Sequence, residues 1–280
     1  MRADPEPDGR TVPDYDSPSE KKAAGIAVIE LKNVTTGYPE GESFSIPEAR
    51  FEKGRITAVI GRNGSGKSTL LRAMAGQLRY GGSIRLDGEE CRKLTPAERA
   101  RKAAYLPQFL RSARMDVQTL AEHGRYPWHG SLRRLTERDR EKVDKAMERA
   151  GVTEYRHRML TGLSGGERQR AYLAMVIAQD TPMILLDEPT TYMDPGMQEV
   201  FFRLLRSLAE EGRGIVTVCH DLPQTFSFCD RICVMAEHTL CACGTPEELA
   251  RQEELMQRTL GVSLKNTGDP ELVFPWALKR

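Results

Sequence analysis

Arg55-Ile56-Thr57-Ala58-Val59-Ile60-Gly61-Arg62-Asn63-Gly64-Ser65-Gly66-Lys67-Ser68-Thr69 decides the fold. An apolar run of strand type meets a glycine-rich turn, and Lys67 to Gln77 then has helical spacing and good helix formers. Glycines let backbone N–H groups close around phosphate oxygens without side-chain clashes. The N-terminus of the following helix adds the positive end of its dipole. The turn fits G-x-x-x-x-G-K-[ST] between a strand and a helix, the context that gives the motif its meaning. Gly61 to Thr69 therefore read as a phosphate cradle, with Lys67 reaching the β- and γ-phosphates of a nucleotide and the Ser68 hydroxyl a ligand of Mg²⁺.

Outward from this stretch the chain alternates. Gly25 to Leu31 has the apolar–polar alternation of a half-buried strand, and Ser83 to Gly88 a short strand ending in an Asp-Gly turn. Met183 to Leu186, Gly214 to Cys219 and Arg231 to Met235 are further strand-type runs. From Phe109 to Asp180 the texture becomes charge-rich and helical, notably over Thr136 to Ala150 and Gly165 to Gln179. Strands alternating with helices predict an α/β fold, a largely parallel sheet covered on both faces, with the helical block as an insert beside it. Met1 to Lys22, rich in Asp, Glu, Pro, Ser and Gly, reads as a disordered tail. The stretch after Lys265 is weakly patterned and is assigned no structure.

Composition narrows the class. A chain of 280 residues suits one large domain, or one domain with a smaller insert. With 39% hydrophobic and 29% charged residues, a soluble globular protein is expected. Forty-one basic against forty acidic residues give a net charge of +1, which argues against gripping nucleic acid through overall charge. No window approaches the roughly 20 uninterrupted apolar residues of a membrane-spanning helix, and the N-terminal residues lack the apolar core of a secretory signal. The chain is read as cytoplasmic. Six cysteines argue against a disulfide scaffold, although five (Cys219, Cys229, Cys233, Cys241 and Cys243) crowd into the C-terminal third. Neither Cys229 with Cys233 nor Cys241 with Cys243 has the C-x-x-C spacing of usual zinc sites, so buried, reduced thiols are expected.

A phosphate cradle alone does not separate kinase, GTPase and ATPase. Met183-Ile184-Leu185-Leu186-Asp187-Glu188 is an apolar strand ending in two carboxylates, whose side chains point to opposite faces. Asp187 is placed to hold Mg²⁺ through its water shell, and Glu188 to orient and deprotonate an attacking water. Leu163-Ser164-Gly165-Gly166-Glu167-Arg168-Gln169-Arg170 joins a Ser-Gly-Gly turn to a helix start, a second anion-binding end. Alone, that turn is also what a plain helix cap looks like. Two such ends are more than one nucleotide demands, and head-to-tail pairing of two subunits resolves the excess.

With these motifs in this order, the sequence from about Ile26 to Val262 resembles the ATP-binding cassette (ABC) transporter family, whose signature is LSGGQ; here Glu167 holds the last position. The resemblance implies an α/β fold with a P-loop NTPase, RecA-like core, an N-terminal antiparallel β-subdomain and an inserted α-helical subdomain. It implies one domain over 25–264, with core 25–108 and 183–264 and helical subdomain 109–182, flanked by tails 1–24 and 265–280. It further implies ATP and Mg²⁺ as cofactors. Tyr38 matches the aromatic that stacks on adenine, and Gln108 the residue that approaches Mg²⁺ and the attacking water. Asp194 matches the D-loop acid, and His220 the switch histidine beside the γ-phosphate. The D-loop reads Thr191-Tyr192-Met193-Asp194 where Ser-Ala-Leu-Asp is commoner. Implied partners are a second ATPase subunit (the same chain or a paralogue), an integral-membrane permease and, indirectly, an extracytoplasmic substrate-binding protein, with no nucleic acid. The implied location is the cytoplasmic face of the membrane.

Gly124-Arg125-Tyr126-Pro127-Trp128-His129-Gly130 is a breaker- and aromatic-rich link suited to contact with another protein, or alternatively a packed loop with Trp128 in a small core. It is similar to the corresponding string in ATPase subunits of iron(III)-siderophore importers, especially for ferric hydroxamates; heme and cobalamin importers belong to the same wider group. Arg168 to Met175 and Gly261 to Leu264 agree. The rival readings are a soluble ABC ATPase of iron–sulfur assembly, with the cysteines as support, and a nucleic-acid-linked ABC protein. A small-molecule kinase leaves Leu163 to Arg170 unexplained.

Overall fold

Residues 27–36, 44–110, 113–129, 134–268 and 276–278 are described by the computed structural model. Tyr38, Gly130 and the stretch before Ala27 lie outside them. The described residues begin with strands β1 (Ala27–Thr36), β2 (Phe44–Glu52) and β3 (Ile56–Gly61), then helix α1 (Lys67–Met74), β4 (Tyr80–Leu86) and β5 (Glu89–Glu90). Helix α2 (Pro96–Lys102) leads into β6 (Ala103–Leu106). The insert follows as α3 (Val117–His123), α4 (Tyr126–His129), α5 (Glu137–Arg149) and α6 (Gly165–Ala178). Next come β7 (Met183–Leu186), α7 (Pro195–Glu210), β8 (Gly214–Val218), α8 (Leu222–Phe228), β9 (Arg231–Ala236) and β10 (Thr239–Gly244). The described residues close with α9 (Pro246–Ala250), α10 (Glu253–Leu260), β11 (Leu264–Asn266) and β12 (Trp276–Leu278).

Ten strands form one sheet in the order β5-β4-β1-β2-β10-β9-β3-β8-β7-β6. The half β9-β3-β8-β7-β6 is parallel, as the alternation of strands and helices predicts. The other half is antiparallel: β1 pairs with β2 and β4, β4 with β5, and β9 with β10. A single parallel pair, Thr239 with Ser45, joins β10 to β2. The largely parallel sheet read from the sequence is thus a half-parallel one, and its antiparallel part includes the N-terminal strands that the family resemblance implies. Strand β2 alternates buried and exposed residues because only one of its faces packs, whereas β7 and β8 are buried throughout.

Alternate residues of the central strands serve opposite cores. Ile56, Ala58, Ile60, Ile184, Leu186 and Ile215 join one core with the insert helices and α7. Val59, Met183, Leu185, Val216 and Val218 join the other, with α1 and the antiparallel strands. Two layers of apolar packing hold the edge of β3, β8 and β7 still, and the polar residues beyond those strand ends inherit that rigidity.

Two expectations are corrected. The segment after Lys265 carries structure: β12 pairs antiparallel with β11, and Trp276 is 6% exposed, its ring edge-on to Phe226 with centroids 5.3 Å apart. A short strand with one aromatic anchor has no periodicity to detect. Cys233 and Cys243 form a disulfide instead of remaining reduced, because they face each other directly on antiparallel β9 and β10 with Cα atoms 4.2 Å apart. Register of that kind is invisible in spacing. Cys91, Cys219, Cys229 and Cys241 are free thiols, the first three buried.

The link around Arg125 proves to be both of the things its sequence allowed. Arg125 is 3% exposed; its guanidinium donates to Asp139 Oδ1 at 3.0 Å and to the Ala178 carbonyl at 2.8 Å. Trp128 donates from Nε1 to the Gln179 carbonyl at 2.8 Å, yet Trp128 and Tyr126 each keep more than a third of their surface in solvent. The link therefore ties α4, α5 and the end of α6 together and still presents an aromatic face. Asp139 caps α5 through Thr136 and lies 2.8 Å from His129 Nε2. Burial by itself raises the Asp139 carboxyl, but hydrogen bonds from Thr136, His129 and Arg125 outweigh it and hold the group well below the ordinary carboxylate range. Its contribution to stability is thus complete above the unfolded-chain pKa of about 3.9 and declines as pH falls below that value. Asp139→Asn leaves Arg125 buried without its counter-charge and is expected to cost about 3–5 kcal/mol at pH 7. In denaturant titrations the gap between parent and variant should narrow at pH 3; a gap independent of pH would refute the assignment.

Candidate functional site

The site stands at the C-terminal edge of the parallel strands. The loop from Gly61 to Gly66 closes because glycine occupies the positions that no side chain fits. A Cβ on Gly61 would sit 2.2 Å from the Met235 carbonyl oxygen, and Gly66, the N-cap of α1, has φ +97°. Lys67 is buried, and its ammonium donates to the carbonyls of Gly61 (2.9 Å) and Arg62 (3.1 Å), which stretches it back over the loop. Burial lowers the Lys67 pKa, while the nearby Glu188 and Asp187 carboxylates raise it in opposition. The Ser65 hydroxyl is buried without a hydrogen-bond partner. An orphaned polar atom inside a glycine loop of this shape suits a phosphate oxygen.

Asp187 follows the last residue of β7, and its N–H donates to the Leu106 carbonyl at 2.9 Å, locking its backbone to β6. Ser68 Oγ donates to Asp187 Oδ1 at 2.9 Å, and Tyr105 Oη donates to Oδ2 at 3.2 Å. Burial pushes the Asp187 carboxyl up, with hydrogen bonds from Ser68 and Tyr105 pulling it back. A hydroxyl and a burial-strained carboxylate within hydrogen-bond reach make a hard-oxygen pair, the donor set suited to a small divalent cation. Tyr105 is a residue that the sequence reading missed; its signal was its place three residues before Gln108 on a strand that pairs directly with the strand leading to Asp187.

Glu188 collects the remaining groups. Gln108 Nε2 donates to Glu188 Oε2 at 2.6 Å, and His220 Nε2 lies 2.6 Å from Glu188 Oε1. Glu188 itself adopts φ +50°, a strained backbone for a non-glycine residue that turns its carboxylate away from the strand direction. A cavity of about 530 Å³ lies beside it, lined by Gly61, Arg62, Asn63 and His220 among others. Lys67, Ser68, Gln108, Asp187, Glu188 and His220, drawn from four separate stretches of chain, are thereby linked into one cluster. Gln108, read as a metal ligand, bonds to Glu188 rather than to the Ser68–Asp187 pair.

The second predicted anion end belongs to the insert. Ser164 is the N-cap of α6 in a capping box: its N–H donates to Glu167 Oε2 at 2.7 Å, and Glu167 N–H donates to Ser164 Oγ at 3.3 Å. Leu163 is buried beneath it, and Arg158 lies 3.7 Å from the Glu167 carboxylate. Gly165 and Gly166 are covered by the D-loop; a Cβ on Gly165 would meet the Tyr192 side chain at 3.2 Å, while Tyr192 remains 54% exposed. Asp194 caps α7, accepting from Met197 N–H at 2.9 Å. Ser164 and Glu167 thus bond to each other, Asp194 caps its own helix, and Tyr192 is the link between the two segments.

Comparison with known proteins agrees with this geometry. The profile of the ABC transporter family matches residues 46–191. The petrobactin import ATP-binding protein FpuD of Bacillus anthracis is 40% identical over 247 residues, 86% of this chain and 89% of that protein. The iron(3+)-hydroxamate import ATP-binding protein FhuC of Bacillus subtilis is 38% identical over 78% of this chain and 80% of its own length. Among solved structures, a chain of a metal-chelate type ABC transporter in an inward-facing conformation superposes with a TM-score of 0.76 at 24% identity, covering 91% of this chain and 98% of that one, a likeness of fold. The chain belongs to the ABC transporter family, as one of its ATP-binding, ATP-hydrolysing subunits.

Proposed function

We propose that this chain hydrolyses ATP at the Glu188-centred cluster, as one of two ATPase subunits beneath a membrane permease that imports an iron(III)-siderophore complex. The observation that carries the catalytic part is the convergence of Gln108 and His220 on the two oxygens of Glu188, each at 2.6 Å, beside Lys67 and the Ser68–Asp187 pair. Glu188 takes the proton of an attacking water as its oxygen bonds to the γ-phosphorus. The bond to the β–γ bridging oxygen breaks, and ADP and phosphate leave. Lys67 and the loop N–H groups bind the β- and γ-phosphates, Gln108 orients Glu188 and the water, and His220 holds the far oxygen of Glu188. Ser68 and Asp187 would hold Mg²⁺, which when bound neutralises charge on the phosphate oxygens. Tyr38 would stack on adenine.

The second nucleotide contact is assigned to the opposite subunit, whose Leu163 to Glu167 and Asp194 would close over this chain's ATP. Among the described residues no helix is long and apolar enough to cross a membrane, and the permease of this reading is a separate chain. Phe109, directly after Gln108 and 76% exposed, is an apolar side chain offered to the permease next to that glutamine, and Tyr126, Trp128 and Met159 of the insert are further exposed apolar groups. The cargo rests on relatives whose names state petrobactin and iron(3+)-hydroxamate import. The iron–sulfur alternative keeps only part of its support, since two of the five clustered cysteines, Cys233 and Cys243, are spent on each other.

Glu188→Gln should retain ATP binding, lose turnover by roughly 10²–10⁴-fold and accumulate as an ATP-bound dimer in size-exclusion chromatography; wild-type turnover would falsify the general-base role. Tyr105→Phe removes one hydrogen bond from Asp187, so the Mg²⁺ concentration for half-maximal ATPase activity should rise by about five-fold, the equivalent of about 1 kcal/mol. For cargo, the complex reconstituted with permease and binding protein should be stimulated by the iron(III)-siderophore-loaded binding protein. Stimulation by hemin or cobalamin instead would reassign it.

A further inference from the structure

Helix α8 is seven residues long, too short to hold itself by its own backbone bonds. What fixes it is a local cap at its start and tertiary contact along its body. At its start, Asp221 caps the helix, accepting from Gln224 N–H at 2.8 Å, and the Thr225 hydroxyl donates to the Asp221 carbonyl at 2.6 Å. Along its body, two aromatic side chains anchor it in different directions. Phe228 packs on Phe202 of α7 with centroids 5.2 Å apart, and Phe226 meets Trp276 of β12 edge-on at 5.3 Å. Phe202, Phe226 and Trp276 are all buried.

His220 is the residue immediately before the Asp221 cap. One peptide unit therefore separates a helix clamped between α7 and the C-terminal strand from the imidazole that touches Glu188. The clamp on the α7 side is doubled: Arg206 donates to both Asp230 carboxylate oxygens, at 2.8 and 3.0 Å, and to the Phe228 carbonyl at 2.6 Å. The clamp on the outer side rests on β12, whose ladder with β11 is three residues wide. Trp276 is the buried residue of that strand, and burial of an indole is its largest source of adhesion.

We propose that Trp276 is a positioning residue for ATP hydrolysis: from the C-terminal strand it seats α8, and through the Asp221 cap it holds His220 against Glu188. This rests on the reading of His220 as a group that acts at the reacting phosphoryl. Emptying the Trp276 site loosens α8 from the C-terminal side, while the hydrogen bonds that fold Lys67 over the cradle, to the Gly61 and Arg62 carbonyls, do not involve α8. The effect falls on the chemical step.

The test is a double-mutant cycle on the full chain in its complex with the permease, reading kcat and KM for ATP separately. Trp276→Ala should lower kcat roughly ten-fold or more, in line with the sensitivity of rates to sub-ångström misplacement, and leave KM for ATP unchanged. Trp276→Phe, which keeps an aromatic edge for Phe226, should restore most of the rate. In a His220→Ala background, Trp276→Ala should change kcat by less than about two-fold, because both substitutions remove one function. If Trp276→Ala turns over at the parent rate, or lowers kcat by the same factor with and without His220, the positioning role is overturned while the role of His220 stands. If His220→Ala alone turns over at the parent rate, the reading of His220 falls and the proposal with it. Should Trp276→Ala not fold, Phe226→Leu loosens the same contact from the α8 side and is subject to the same outcomes.

Discussion

The hydrogen bond from Ser68 to Asp187 joins residues 119 positions apart at 2.9 Å, and the rest of the site is arranged around it. It exists because β3 and β7 run parallel on either side of β8, so that the turn after one and the acid after the other end on the same edge. Had β3 and β7 run in opposite directions, those two ends would lie at opposite edges of the sheet. Both faces of these strands are sealed by apolar packing, so the edge cannot shear to relieve poor geometry. Position at this edge is thus a consequence of burial elsewhere.

The electrostatics follow from that placement. Burial disfavours the charged forms of Lys67 and Asp187 alike, and each is partly sustained by the other's field. A buried cation and a buried acid in this balance have little to gain from each other without further charge, which a triphosphate with a divalent ion would supply on both sides. Glu188 differs: its oxygens are already engaged, by an amide donor on one side and an imidazole on the other. Adjacent acids in sequence thereby acquire unlike surroundings, the condition under which one serves binding and the other proton transfer.

How much of this was legible follows from the range of each signal. The phosphate loop, the paired acids and the Ser164 cap are local motifs whose turn chemistry is written in consecutive residues, and each stands on the element that its pattern implied. Helices α5 and α6 match Thr136 to Ala150 and Gly165 to Gln179 to within a residue or so, because caps and periodicity agree there. What escaped depended on register or on a distant partner. Tyr105 reaches Asp187 only because β6 pairs with β7 in one alignment; Cys233 meets Cys243 for the same reason on β9 and β10. Trp276 lacked any local pattern, and its partner Phe226 stands fifty residues earlier in the chain, a separation that no window spans.

The departures from the commonest family motifs are each accommodated by their own neighbours. A carboxylate at Glu167, in place of the amide of LSGGQ, puts negative charge at a helix N-terminus otherwise built to receive a phosphate. In this chain that charge is occupied: it accepts the Ser164 N–H, and Arg158 stands beside it. The substitution therefore strengthens the cap while Arg158 offsets its field. Tyr192, in place of a small D-loop residue, fills the space over Gly165 and Gly166 that a side chain on either glycine would need. Because Asp194, two residues later, caps α7, the signature turn, the D-loop and α7 are packed as one piece. A second copy closing on this face would press on that piece as a whole, and α7 touches α8 through Phe202 and Phe228. The signature turn with its D-loop and the helix that follows His220 are thus in mechanical contact, through α7, within a single subunit.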